Sequence, residues 1–531
     1  MSTSSLRRFW TGGDIWLWLM AASLTLLLLM TVVFFGIIVV NGLQALWPRQ
    51  IAVLTTVAGD TYAGAIIQRQ KTQMQVKVAN RDLNAQDFIW LDRSDIATIH
   101  YPEHIYVLER TEYGDFYGFL AANSSDIATY FKTGKLPPRF KQLQADIVAV
   151  QEQTGILNER ISKLEKQRME RNDTSKSSWG EQGEVSTRKQ TSQPLQSEGM
   201  RGQLTAQYQI LNDLQTELDT YQAKFTAVPS ATVSIALSDL VRYYQPNAMH
   251  GLAKFWLYCQ KVFELLTAEP REANTEGGVF PAAFGTVLLV FLMSITSFPF
   301  GVLAGIYLGL YARDGLLLRV IRIAVHNLAG IPSIVFGIFG LGFFVYGLGA
   351  SIDQLFYASA LPAPTFGTGG ILWASLTLGI LTLPVVVVAT EEALRTVPKS
   401  LQDSSMALGA TRLQTLTKVL LPAASPSILT GFILAMARAA GEVAPLMITG
   451  VVKLAPHLAI DGSFPFLHLE RKFMHLGFHI YDISYQSPNV DASRPLVYAT
   501  TLLLLFIVVL MAGSSIWLRA RLRKKYKLGA L

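Results

Sequence analysis

The chain holds a single cysteine, Cys259, among 531 residues. One thiol excludes an intrachain disulfide framework and a cysteine-based metal site. Charge is scarce as well: Asp, Glu, Lys and Arg make up 16% of the sequence and hydrophobic residues 50%. With a mean hydropathy of +0.32, that balance describes a membrane protein with substantial water-exposed parts. The phosphate-cradling pattern Gly-x-x-x-x-Gly-Lys-Ser/Thr is missing, because Gly134-Lys135 runs into Leu136 without the preceding glycine. The chain should therefore not hydrolyse ATP itself, and an ATP engine, if there is one, is another subunit. No small-residue cleavage site follows the first apolar run, which is too long for a signal-peptide core and reads as a retained anchor. The net charge of +7 clusters beside particular apolar runs, which is a topology signal and not a nucleic-acid footprint.

Six runs are long and apolar enough to cross hydrocarbon, which takes about 20 residues each. They are roughly Ile15–Val40, Phe284–Leu310, Ala329–Ala350, Gly369–Thr390, Ser427–Val451 and Pro495–Trp517, and only the fifth carries charge. Basic residues orient them. Arg7 and Arg8 precede the first span; Arg313, Arg319 and Arg322 lie between the second and third; Arg395, Lys399, Arg412 and Lys418 lie between the fourth and fifth; Arg519 to Lys527 close the chain. Six crossings put all four groups on one side, which the positive-inside rule makes the cytoplasm. Both termini are then cytoplasmic, and residues 41–279 lie outside.

That outside segment divides by pattern. After the stub and first span (1–44), residues 45–135 hold short β-type runs such as Ile51-Ala52-Val53-Leu54 and His104-Ile105-Tyr106-Val107-Leu108, and read as a β-rich domain. Residues 136–228 change period. Phe140, Leu143, Ile147, Val150, Thr154, Leu157, Ile161 and Leu164 form one heptad seam; Leu204, Tyr208, Leu211, Leu214, Leu218, Tyr221 and Phe225 form a second. A polar stretch near 171–200 separates them and is expected to be a mobile tip. Two seams predict an antiparallel helical hairpin, a spacer or strut. Residues 229–279 lead back to the bilayer. There 231–237 suits a strand returning to the β-domain, and Met249–Thr267, with Trp256, Tyr258 and Phe263, suits a helix at the membrane interface.

Two segments carry candidate function. Arg438 and Glu442, four apart in the fifth span, can pair on one helical face. Charges at such depth are costly unless they face a partner or a watery cavity, so they mark a transport path or a structural staple. Arginine's planar fork suits an oxyanion. Asn327, Ser333 and Thr390 could add hydrogen bonds to a passing anion, and Pro332 and Pro384 could bend their helices. The second segment is the polar loop 391–425. It is helix-forming on both sides of Gly409, the shape of a helix–turn–helix standing off the membrane. Outside these, His475 and His479 are four apart; a metal would need Asp482 or Glu470 as third ligand, and the plainer reading is an amphipathic cap with Phe473, Leu476 and Ile480 buried.

The loop resembles the coupling loop of binding-protein-dependent ABC importer permeases. That family's pattern is Glu-Ala-Ala, three residues, Gly, nine residues, Ile, any residue, Leu-Pro. Here Asp403-Ser404-Ser405, Gly409, Val419, Leu421 and Pro422 hold the spacing, with Ala410 after the glycine and conservative departures at the first three positions. The run Arg438-Ala-Ala-Gly-Glu442-Val-Ala-Pro445-Leu446, with 326–337 and Thr396-Val397-Pro398, is similar to the phosphate-specific importer permeases, A-type subunit. The resemblance covers roughly 280–520, and the long insertion marks an extended form. It implies a polytopic all-α membrane protein of the ABC type I importer permease fold in a bacterial inner membrane; it does not explain residues 41–279, so the periplasmic β-rich and coiled-coil insertion between helices 1 and 2, like the basic tail at 521–531, rests on the sequence pattern alone. It implies as partners a C-type permease subunit, a cytoplasmic ATPase dimer that carries ATP and Mg, a periplasmic phosphate-binding protein, and membrane lipid. This chain itself would bind no cofactor, no metal and no nucleic acid. Two alternatives stay open: a permease subunit for another oxyanion such as molybdate or sulfate, and a membrane-anchored sensor or scaffold using the coiled-coil domain.

Overall fold

The computed structural model describes residues 14–84, 86–121, 126–177, 192–462, 464–487 and 490–525. The N-terminal Arg7 and Arg8, the middle of the expected tip (178–191) and the last six residues lie outside the described residues. The chain forms two compact units. One comprises residues 1–47, 258–353 and 364–531, the other residues 48–257 and 354–363.

The first unit is helical. Among the described residues six helices are long and apolar enough to span a membrane: Trp16–Ala45, Phe280–Tyr311, Ser333–Phe356, Ile371–Arg395, Arg412–Gly441 and Ser493–Arg521, called spans 1 to 6. Span 4 is the centre. Two-thirds of its apolar window is buried, against 6% for span 1. Leu378 and Leu381 of span 4 pack with Leu289, Val290 and Met293 of span 2 and with Ala439 and Ala440 of span 5. Small residues permit this closeness: a β-carbon at Gly305 of span 2 would stand 2.6 Å from Thr390 Cβ. Lipid offers no hydrophobic drive between helices, so close van der Waals packing of this kind holds them together. Span 1 meets the unit through its end, where Gly42 lies against Leu502 of span 6.

Three expectations change here. The segment carrying Arg319 and Arg322 is not a simple loop; it is a helix, Leu316–Leu328. Its Leu318 packs inward with Leu308 and Val387, while Leu316, Leu317, Val320 and Ile323 are exposed. Pro332 does not bend span 3 but stands at its N-cap, where a ring-locked φ starts a helix without losing a hydrogen bond. Pro384 does lie inside span 4. Span 5 is not continuous to Val451. Its helix stops at Gly441, and a separate helix runs Ala444–Thr449 with Pro445 in its first turn. An unbroken helix would set the Pro445 ring against the carbonyl of Gly441 and leave that carbonyl without its donor, so the chain breaks just before it.

Among the described residues the second unit contains two five-stranded antiparallel sheets. The first has the order β4 (Phe88–Asp92), β3 (Gln73–Lys77), β2 (Thr61–Arg69), β1 (Ile51–Thr56), β5 (Ile96–His100); the second has β10 (Leu240–Tyr244), β6 (Tyr106–Arg110), β7 (Phe116–Leu120), β8 (Gln222–Ala227), β9 (Thr232–Ala236). Asn80 links them: its amide donates to Tyr117 O and accepts from Tyr117 N, at 3.0 and 2.7 Å. The helical hairpin, Pro138–Ser177 and Ser192–Asp219, is inserted between neighbouring strands β7 and β8. Phe140, Leu143, Ile147 and Leu218 at its base are buried with Phe116 and Phe225 of the second sheet. The β-rich region therefore does not end at residue 135. Phe225, read as a seam position, is a strand residue, because alternation in Gln222–Ala227 (buried at Ala223, Phe225 and Ala227) follows the sheet period of two. Residues 171–177 and 192–200, assigned to the tip, are helical.

Candidate functional site

The polar segment between spans 4 and 5 is built by local chemistry. A helix runs Lys399–Ala407. Gly409 follows with φ +84, a left-handed value that only glycine adopts without penalty. Gly409 N donates to Met406 O and Ala410 N to Ser405 O, at 3.0 and 3.2 Å, the two bonds of a Schellman ending. Thr411 then caps the next helix: its hydroxyl accepts from Gln414 N and its own N–H donates to the Gln414 side chain, at 3.2 and 2.9 Å. Ser405 Oγ and Thr415 Oγ1 lie 3.0 Å apart and join the two arms.

The segment is therefore a rigid hairpin, and its surface is divided. Leu416 and Leu420 are buried with Ile306, Leu394, Ala424 and Ile428, which fuses the base to spans 2, 4 and 5. Leu421 packs on this cluster, and Pro422 stands in the first turn of the helix Leu421–Gly441. Both residues belong to the root and not to the tip. Asp403, Ser404 and Gly409 are exposed, Ser405 and Ala410 half-buried. At the tip Leu408 is 90% exposed and Leu413 66%. Apolar side chains held outward on a rigid polar hairpin suit a protein surface better than water.

The charged pair lies at the break in span 5. Arg438 Nε donates to Glu442 Oε1 at 3.2 Å. Glu442 is not on a continuing helical face; its backbone is extended, φ −78 and ψ 133. Arg438 stands in the last helical turn, where a cation is favoured by the carbonyl end of the helix dipole. The break sits among fully buried Ala439, Ala440 and Leu446, so it is deep in the bundle. Irregular backbone at that depth persists only when buried in protein or facing a water-filled cavity. Arg438 and Glu442 remain 34% and 18% exposed, so this break has one open side.

The other named pathway residues are not brought to this pair. Asn327 is exposed at the end of the Leu316–Leu328 helix and Ser333 is half-buried at the start of span 3. Among the described residues no hydrogen bond joins either of them to Arg438 or Glu442. Thr390 is fully buried against Gly305, and among the described residues its hydroxyl has no hydrogen-bond partner. It is closed to an anion in this conformation, which assigns it to packing.

One feature was not read from the sequence, and the surroundings of a second were not. Glu391 is a buried carboxylate between Arg322 and Arg395, at 2.8 and 2.7 Å. Glu391 standing four residues before Arg395 was the available signal. The second feature lies between spans 5 and 6. His475 and His479 are not on a solvent face; they are 0% and 2% exposed. His475 caps the helix Leu476–Tyr481, its Nδ1 accepting from Gly477 N at 3.1 Å. Leu476 N donates to Thr286 Oγ1 of span 2 at 2.9 Å. Asp482 pairs with Lys453 at 3.2 Å. Burial pushes His475 down to about 3. It also pushes His479 down to about 4, against an upward pull from Asp482 and with a downward push from Lys453. No group of three such ligands is placed to hold a metal among the described residues.

Comparison with known proteins adds identity to this geometry. Residues 298–524 match the family described as "Binding-protein-dependent transport system inner membrane component". The chain is similar to the probable ABC transporter permease protein YqgI of Bacillus subtilis, 31% identical over 301 residues, or 56% of this chain and 93% of that protein. It is similar to the probable phosphate transport system permease protein PstA of Methanocaldococcus jannaschii, 31% identical over 237 residues, or 44% of this chain and 73% of that protein. Among solved structures, the inward-facing MetNI methionine ABC transporter aligns with 52% of this chain and 99% of its own, at 19% identity and a TM-score of 0.32.

Proposed function

The chain belongs to the binding-protein-dependent transport system inner membrane component family, as a PstA-like ABC importer permease subunit, and from that premise we propose that it carries inorganic phosphate across the membrane, driven by a separate ATPase. The observation that carries the proposal is the hairpin centred on Gly409: rigid, rooted in three spans, and apolar at an exposed tip. Leu408 and Leu413, with the exposed side of Lys399–Ala407, dock in a groove on the ATPase. Closure of the ATPase dimer then pushes spans 4 and 5 together, because Leu416 and Leu420 tie the hairpin to both. Energy enters at the hairpin and the path opens at the break in span 5, by alternating access with rigid-body movement.

Phosphate as the cargo is supported by relatives named as phosphate transport permeases and by Arg438. A planar guanidinium forms paired hydrogen bonds to an oxyanion. Glu442 makes this a passing site and not a resting one: Arg438 exchanges its internal carboxylate for the anion and then returns. The positive-inside rule places the hairpin in the cytoplasm and residues 41–279 in the periplasm. A second permease subunit completes the pore, and a periplasmic binding protein delivers the anion.

The test is purification of the chain with the products of neighbouring genes, followed by uptake of radiolabelled phosphate into proteoliposomes loaded with ATP. The expected result is an ATPase and a second permease in the complex, and uptake that sulfate and molybdate do not compete away. Competition by either anion would reassign the cargo; absence of any ATPase would remove the importer reading.

A further inference from the structure

A lever works only if its root is held. The root of the hairpin is the end of span 4, and there a single buried carboxylate gathers three elements. Glu391 Oε1 accepts from Arg322 Nε at 2.8 Å and from Arg395 Nη2 at 2.7 Å. Arg322 stands on the Leu316–Leu328 helix, and its Nη2 also donates to Leu308 O, at 3.3 Å, near the end of span 2. Glu391 is 8% exposed, Arg322 29% and Arg395 54%. The Arg395 bond is therefore largely screened by water and is the weaker member. The Arg322 bond is more buried and shared with backbone; losing Glu391 strips Arg322 of its carboxylate, and losing Arg322 leaves Glu391 only the screened Arg395 bond. Apolar contact continues the joint: Leu318 of the same helix packs with Leu308 and Val387.

We propose that Glu391 is the positioning residue that clips the Leu316–Leu328 helix and the end of span 2 to the root of the coupling hairpin, so that the hairpin moves them as one body. The inference rests on the importer reading for its functional consequence, but the clip itself is a property of this chain. Without it, movement of Lys399–Ala407 would reach spans 2, 4 and 5 through the Leu416 and Leu420 cluster, while the helix before span 3 lagged behind. Glu391 touches neither the anion path nor the exposed tip, so its loss should change how much transport each ATP yields more than whether the ATPase binds.

Two measurements test this. In the chain alone, reconstituted in nanodiscs, Glu391→Gln should raise amide hydrogen exchange in 316–328 by about tenfold, with a smaller rise for Arg395→Gln, in the range expected for one coupling contact. Unchanged exchange in 316–328 overturns the clip whatever the chain transports. In the full complex, radiolabelled phosphate moved per ATP hydrolysed should fall by about tenfold in Glu391→Gln and recover in part in Glu391→Asp, which keeps the charge. Arg322→Gln should reproduce the defect, and the double variant should be no worse than either single one. A Glu391→Gln complex that matches wild type in this ratio overturns the transmission role. A wild-type complex that neither hydrolyses ATP nor moves phosphate instead overturns the importer reading. Should Glu391→Gln fail to fold, Arg322→Gln carries both tests, since it removes the same bond from the other side.

Discussion

Acid should loosen the segment between spans 5 and 6, and the two buried histidines set the amount. His475 and His479 are neutral in the folded protein, with burial holding them near 3 and 4 instead of the ordinary 6.5. Asp482 and Lys453 are the charged groups that act on His479. In the unfolded or locally opened segment both rings are solvated and take up protons as pH falls through 6.5. The open state therefore binds more protons than the closed one, and stability falls as pH falls. The contribution is complete above about pH 7.5, is lost progressively below 6.5, and levels off near 4 for His479 and 3 for His475. At about pH 5 both rings are still neutral when closed and largely protonated when open. Each then forfeits about 2 kcal/mol, one and a half pH units at ~1.36 kcal/mol each, or roughly thirtyfold in the opening equilibrium. Together they give about a thousandfold. Hydrogen exchange of residues 474–482 in nanodiscs, corrected for the intrinsic pH dependence of exchange, measures this directly. Between pH 7.5 and 5 protection should fall by about a thousandfold in wild type and about thirtyfold in His479→Leu. Protection independent of pH across that window would refute the reasoning, because it would mean that the rings protonate without opening.

The remaining predictions concern the hairpin, the path and the packing. Gly409→Ala meets no atom within 4 Å of its new β-carbon, so its cost is the backbone alone, about 1–2 kcal/mol; Gly409→Pro cannot reach φ +84 and should abolish ATPase copurification, whereas full recovery of the ATPase with Gly409→Pro would show that the turn is dispensable. Arg438→Met should leave the complex intact on size-exclusion chromatography and cut phosphate uptake by about tenfold or more, as expected when a charge-assisted contact to a desolvated anion is lost; unchanged uptake would remove Arg438 from the path. Gly305→Val should lower the thermal midpoint through overpacking of about 1–3 kcal/mol, since even the first carbon added stands 2.6 Å from Thr390 Cβ; an unshifted midpoint would show that spans 2 and 4 can separate there.

Much of the membrane unit is legible in the sequence because hydrocarbon imposes one rule, a run of about 20 apolar residues per crossing. Each of the six runs overlaps a helix long and apolar enough to cross a membrane, the fifth only as far as Gly441. Their ends are less legible, since helices continue into water once propensity favours it, as span 6 does within the helix Val490–Lys525. The break in span 5 was hidden because Gly441 and Pro445 stand in a run still apolar on both sides. The helix Leu316–Leu328 was hidden by its three-residue basic pattern, which reads as loop charge until the periodicity of Leu318, Arg322 and Val325 is noticed. In the other unit, period separated sheet from hairpin, but β8 returns to pair with β7 across a separation of about one hundred residues, which no local pattern encodes.

At the candidate sites, residue type was legible and environment was not. Gly409 could be placed because a left-handed turn demands glycine. Arg438 and Glu442 could be placed because charge in an apolar run is rare. Thr390 could not be sorted into packing or pathway, because a threonine's role depends on which neighbour it faces, and it faces Gly305. Glu391 looked like any loop carboxylate, since the arginine that buries it comes from another helix. His475 and His479 suggested a surface pair or ligands by spacing alone; the cap at Gly477 and the bond from Leu476 to Thr286 turn that face inward.

The most direct test of the account is the accessibility of the hairpin tip. In a Cys259→Ser background, Leu408→Cys should react with a membrane-impermeant thiol reagent only from the cytoplasmic side of sealed vesicles, and reaction should be blocked when the ATPase is bound. Labelling from the opposite side, or labelling that the bound ATPase leaves unchanged, would contradict it.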